Sequence, residues 1–156
     1  MNDFAAVILM IGVTNIFPFS DKILHTSTQT IECLALNMYH EARDQGTAGK
    51  IAVTAVVINR VNDTVCEVIK QGPTRKSWKN DGTFYPIRDR CQFSWYCDGK
   101  SDIPKDVKAY QKTLDLSSLI VHDDIKFVDI TDGALFYHAD YVTPSWAKQK
   151  QKTTEI

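Results

Sequence analysis

An apolar stripe at helical spacing runs into a carboxylate. Ile31, Leu34, Met38 and Glu41 follow one another at intervals of three and four residues, which lines one face of an α-helix. Such a face must be buried, so the chain has to fold around it, and Glu41 is carried toward the core with the rest of the stripe. Burial disfavours a charged carboxyl and raises its pKa, and the C-terminal end of the helix acts in the same direction. Both effects hold Glu41 protonated nearer neutral pH, as a general acid requires. Arg43 works in the opposite sense. The structural alternative is an ion pair of Glu41 with Arg43 or Arg60.

The surrounding pattern reads as a small α+β domain. Ser27 or Thr28 can cap the first helix, and Gly46 can terminate the turn after it. Residues 47–61 are rich in β-branched side chains, but their length and three alanines favour a buried helix over a strand. A short helix over 65–70 should close at Gln71-Gly72-Pro73. Residues 73–104 scatter Pro73, Asn80-Asp81-Gly82, Pro86, Asp98-Gly99 and Pro104 among aromatics and cysteines, which predicts an irregular lobe or a small β-flap. Pro104 suits the first turn of a helix running through Val107, Tyr110, Leu114 and Val121. Residues 125–130 and 134–138, joined by Thr131-Asp132-Gly133, predict a hairpin or two extended segments. Thr143-Pro144 should open a last short helix over 145–152.

Length and charge exclude several classes. With 156 residues, 18 Lys+Arg against 19 Asp+Glu and a pI near 6.4, the chain is sized for one compact domain and lacks the basic excess of a nucleic-acid binder. No apolar run is long enough for a polytopic membrane protein. Residues 4–13 match a signal-peptide core in length, yet Asp3 replaces the expected basic flank. That leaves two readings for residues 1–26: a signal or anchor touching a membrane through 4–19, or a buried or peripheral segment before a domain over 27–156. Of the four cysteines, Cys91 and Cys97 could close a small loop, or Cys66 could reach Cys97. Cys33, inside the first helix, reads as a free buried thiol, and the spacings do not match zinc ligand sets.

Four ordered blocks carry a family resemblance. They are Tyr39-His40-Glu41-Ala42-Arg43 followed by residues 51–60, then Thr64-Val65-Cys66-Glu67-Val68, then residues 91–99, then residues 134–140 leading to Pro144-Ser145-Trp146. Together they span residues 31–146 and resemble the SleB-type cell-wall hydrolases, the spore-cortex-lytic enzyme family with bacterial and phage members. The resemblance implies a lysozyme-like, lytic-transglycosylase-type α+β fold with a helical lobe and a short β-flap. It further implies cleavage of peptidoglycan between N-acetylmuramic acid and N-acetylglucosamine, with Glu41 as the catalytic acid and no cofactor. A lytic transglycosylase needs one carboxyl group, whereas ordinary retaining or inverting hydrolysis needs two at a set separation. Peptidoglycan is then the expected partner, the cell wall, periplasm or exterior the expected location, and a monomer the expected state.

Around Glu41, the sugar site should draw on Gln92, Ser94, Trp95 and Tyr96, since aromatic faces stack on sugar rings and amides or hydroxyls fix them. Tyr137 and His138 fall in the block that resembles the second wall of the cleft; strand alternation puts them on opposite faces, and Tyr137 is the one expected to face the sugar. Disulfide pairing among Cys66, Cys91 and Cys97 is expected around the cleft. His40-Glu41 does not extend to a zincin motif, because Asp44 stands where a histidine is needed. His40, His138 and Asp140 meeting around zinc would instead make an amidase, and a non-catalytic peptidoglycan-binding protein is the other alternative. Two departures from the family pattern stand out: Asp44-Gln45-Gly46 replaces Gly-Glu, and the chain ends on Thr153-Thr154-Glu155-Ile156 where the family has a terminal segment expected to form a strand. Residues 75–89 look like an insertion.

Overall fold

The structure is a computed structural model and describes residues 6–10, 28–61, 64–70, 91–122 and 128–156. The stripe ending on Glu41 forms helix α1, Thr28–Ala42, whose Cys33, Leu34, Ala35, Met38 and Tyr39 are buried. Helix α2, Thr47–Arg60, settles the competition between helix and strand: every residue from Ala52 to Ile58 is buried. A helix enclosed on all sides needs no polar face, so its β-branched residues are set by burial and not by strand pairing. Helix α3, Val65–Ile69, is capped by Thr64, whose hydroxyl accepts from Glu67 N at 3.2 Å. Helix α4, Val107–Val121, is capped by Asp106 in the same way, with Ala109 N at 2.9 Å.

Helix α1 is the hub, packing against α4, α3 and α2. The principal core gathers Leu34, Met38, Val57, Ile58, Ile69, Phe93, Trp95 and Ile120. A smaller cluster of Ala52, Val56 and Ala134 lies beside it, and Tyr137 packs against both.

Among the described residues three strands form one antiparallel sheet in the order β2-β1-β3, with β1 Ala6–Met10, β2 Phe136–Ala139 and β3 Gln151–Glu155. The register pairs Ile8 with Tyr137 on one side and Met10 with Gln151 on the other, with an irregularity between Ile8 and Leu9 beside β3.

Several local expectations change. Gly46 starts α2 as its N-cap instead of ending the turn after α1. Pro104 precedes α4, because the helix starts after Asp106, whose carboxylate accepts from Ala109 N. The last helix is a short 3₁₀ segment, Ser145–Gln149, and the chain then extends into β3, so the terminal strand expected to be missing is present. Among the described residues the partner of β2 is β1, far away in sequence. Cys33 is not a free thiol: it is bonded to Cys66, tying α1 to α3, while Cys91 is bonded to Cys97. The described part of the irregular lobe, residues 91–104, consists of bends around a 3₁₀ turn, Ser94–Cys97. Ser27, the closure at 71–73, the insertion at 75–89, residues 123–127 and the rest of the N-terminal segment lie outside the described residues.

Candidate active site

The last turn of α1 delivers Tyr39, His40 and Glu41 to a cleft of about 310 Å³, whose lining includes Arg43, Asp44, Gln45 and Tyr141. Glu41 is half-buried, and the Tyr137 hydroxyl donates to its Oε2 at 2.6 Å. That contact joins α1 to β2, and the end of α2 sets it up. Asn59 Nδ2 donates to Ala134 O at 3.1 Å and to Asp129 Oδ2 at 3.0 Å, and Arg60 Nε donates to Leu135 O at 2.6 Å. Asp129 in turn accepts from the backbone N–H groups of Thr131 and Gly133, each at 2.8 Å. This ties the turn through Asp132 (φ 55°) and Gly133 (φ 76°) just before β2. Two polar residues closing an apolar helix thus hold the strand that carries Tyr137.

Burial raises the Glu41 carboxyl above the usual carboxylate range, outweighing the Tyr137 hydrogen bond and the positive fields of His40 and Arg60. Burial and the neighbouring Glu41 push the Tyr137 hydroxyl well above the usual phenol range, so it stays a donor at neutral pH. Among the described residues Glu41 makes no ion pair. Arg43 turns instead to the Tyr39 hydroxyl at 3.2 Å and to Asp44 at 3.6 Å, and Arg60 donates to Gln92 Oε1 at 3.1 Å.

His40 is fixed on three sides. Its Nε2 donates to Asp102 O at 3.0 Å, its ring stacks on Trp95 at 4.4 Å and 15°, and Tyr39 meets it edge-on at 5.1 Å. Trp95 is fixed in turn by Nε1 donating to Asn37 Oδ1 at 3.0 Å. The Tyr39 hydroxyl accepts from the N–H groups of Lys105 and Asp106 at 3.1 and 3.0 Å, docking the start of α4 onto α1.

The residues singled out in the sequence divide between cleft and scaffold. Tyr137 meets Glu41, whereas His138 lies across from it: His138 Nδ1 donates to Ala139 O at 2.8 Å, and its ring packs edge-on against Trp146 at 5.5 Å. Trp95, expected as a sugar platform, is only 7 % exposed, and with one face under His40 and its N–H bound to Asn37 it acts as a buried support. Gln92 is held by Arg60, Ser94 is exposed, and Tyr96 is exposed with its ring edge-on to Trp95 at 5.9 Å; none of the three lines the cleft. Among the described residues no group of three or more His, Cys, Asp or Glu is arranged to hold a metal ion, so His40, His138 and Asp140 do not converge. Sequence reasoning missed Tyr141, an aromatic 74 % exposed at the cleft, and the bracing roles of Asn37 and Asn59. Tyr141 lies two residues beyond the end of β2, which was the available signal.

A family model described as Cell Wall Hydrolase matches residues 44–156. The match takes in α2 through β3 and begins three residues after Glu41. No curated protein and no solved structure matches the chain.

Proposed function

Because the chain belongs to the cell wall hydrolase family, the SleB-type group its motifs resemble, we propose that it cuts the glycan strand of peptidoglycan as a lytic transglycosylase, with Glu41 as general acid and then base. The observation that carries this reading is a half-buried carboxyl, raised in pKa, lining an open cleft and held by the Tyr137 phenol at 2.6 Å. A carboxyl with a raised pKa keeps its proton to higher pH, as an acid that cleaves a glycosidic bond must.

In the first step Glu41 gives its proton to the oxygen linking C1 of N-acetylmuramic acid to N-acetylglucosamine. The C1–O bond breaks, the glucosamine leaves with a free 4-hydroxyl, and positive charge develops at C1. The carboxylate then takes the proton of the muramic acid 6-hydroxyl as that oxygen bonds to C1. The product is a 1,6-anhydro end, Glu41 is again protonated, and no water is consumed. Tyr137 keeps a hydrogen bond on the carboxylate between the two transfers. The other carboxylate lining the cleft, Asp44, is exposed and paired with Arg43, which favours a one-carboxyl mechanism over a two-carboxyl one. Tyr141 offers an exposed aromatic face against which a sugar ring can stack. The two disulfides suit an oxidising location, consistent with work at the wall outside the cytoplasm.

Mass spectrometry of fragments released from purified sacculi tests the reading. Anhydro-muramic ends are expected. Reducing ends would mean hydrolysis, and free stem peptides would mean amidase chemistry and sink the glycosidase assignment.

A further inference from the structure

A second pocket, of about 360 Å³, adjoins the Glu41 cleft and shares Arg43 and Gln45 with it. Lys50 enters it from the first turns of α2, and Lys108 and Lys112 enter from successive turns of α4. Asp106 is the one carboxylate in its lining, and that carboxylate is engaged in capping α4. Arg43 has Asp44 and Tyr39 as partners, but none of the three lysines makes an ion pair among the described residues. Lys50 points its Nζ to the carbonyl oxygens of Arg43 and Gln45, contacts that fix the ammonium without neutralising it. Like charges outnumbering the one carboxylate among them repel one another, and a chain with a net charge of −1 does not collect them by general excess. Burial chiefly, and then the field of Lys112, lowers the Lys50 pKa, against the opposing field of Asp44, which places Lys50 within reach of a second cation.

We propose that Lys50, Lys108 and Lys112 form a subsite for the ionised carboxylates of the peptide stems that branch from the glycan strand. This rests on peptidoglycan being the strand bound in the neighbouring cleft. A stem leaves the lactyl group of muramic acid, so a strand with muramic acid at Glu41 sends its stem away from the sugar axis. The shared Arg43 and Gln45 make the lysine pocket continuous with that point of departure. Phosphate-bearing wall polymers offer a similar charge, but nothing ties them to the sugar position beside Glu41.

The test uses the full chain and the free stem tripeptide alanyl-γ-glutamyl-lysine, followed by backbone amide shifts in NMR. Saturable shifts are expected at Gln45, Lys50, Ala109 and Lys112. Amidating both peptide carboxylates should weaken binding by about tenfold or more, as expected for loss of two partly exposed ion pairs. The doubly substituted Lys108→Glu/Lys112→Glu should bind about tenfold or more weakly too, and both sites are exposed, so the fold is not at risk; Lys108→Gln/Lys112→Gln serves as a second, milder variant. Equal binding of ionised and amidated peptide, or no binding of either, overturns the subsite. Binding of inorganic phosphate as tight as that of the peptide also overturns it, in favour of a phosphate polymer. Stem binding requires no glycan cleavage, so a protein that binds the peptide and leaves sacculi uncut contradicts the proposed reaction and not this site.

Discussion

The Tyr137 hydroxyl stands 2.6 Å from Glu41 Oε2, a contact between residues 96 positions apart that links the end of α1 to β2. It is the only hydrogen bond made by the Glu41 carboxyl among the described residues, and it opposes the burial that raises the pKa of that carboxyl. The two residues therefore set the protonation state of the cleft together.

Tyr137→Phe removes the donor that favours the charged carboxylate. Glu41 should then titrate at still higher pH, and the limb of the activity profile that falls with rising pH should move up. Stability should drop by about 1 kcal/mol for the lost hydrogen bond. A limb that stays in place or moves down would separate Tyr137 from the titration of Glu41.

Glu41→Gln should make the protein more stable at neutral pH. A raised folded-state pKa means that the contribution of Glu41 is full below the unfolded carboxyl value, near 4.3 as a rough reference, and is lost as pH rises through the folded value. Glutamine has the shape of the neutral form and escapes this loss. Thermal melts should show a gain at pH 7 that shrinks toward pH 4. A constant difference across that range would argue against a buried, raised carboxyl.

Asp129 behaves oppositely. Burial would raise its pKa, but hydrogen bonds from Thr131, Asn59 and Gly133 pull it below the usual value. Its contribution is present above the unfolded pKa and fades as pH falls through the folded one. Asp129→Asn should cost about 1–3 kcal/mol near neutrality by leaving donors of the turn unmatched, with a smaller cost in acid. Because the same turn leads into β2, activity should fall as well.

The two disulfides should differ in weight. Cys33–Cys66 closes a separation of 33 residues and Cys91–Cys97 one of 6, so loop-closure entropy assigns about 4 kcal/mol to the first and about 2 kcal/mol to the second. Melts of Cys33→Ala/Cys66→Ala and Cys91→Ala/Cys97→Ala should rank in that order. The reverse order would show that the 91–97 loop, which contains Trp95 and holds it under His40, matters more than chain entropy.

The helices were readable because their information is local. The 31–34–38–41 spacing marked α1 and placed Glu41 on its inner side, and the alternation of Tyr137 and His138 put them on opposite faces. What escaped reading depends on partners distant in the chain. Strand β1 joins β2 and β3 across more than a hundred residues, and no hairpin signal announces such a pairing. Cys33 looked inert because nothing in α1 shows that α3 brings Cys66 to a Cα separation of 5.4 Å. Trp95 looked like a sugar platform because composition cannot distinguish an aromatic that faces a ligand from one that braces a histidine. Arg60 was visible as a possible partner of Glu41, but its bond to Leu135 O exists only once β2 has docked.

The most direct measurement is the release of soluble fragments from purified sacculi by the wild type and by Glu41→Gln, at equal concentration and with matched circular dichroism. A positioned general acid contributes roughly 10²–10⁴-fold, so the variant should fall at least into that range of loss while remaining folded. Release by folded Glu41→Gln at a rate close to the wild type would contradict the assignment of Glu41 as the acid that cleaves the glycan.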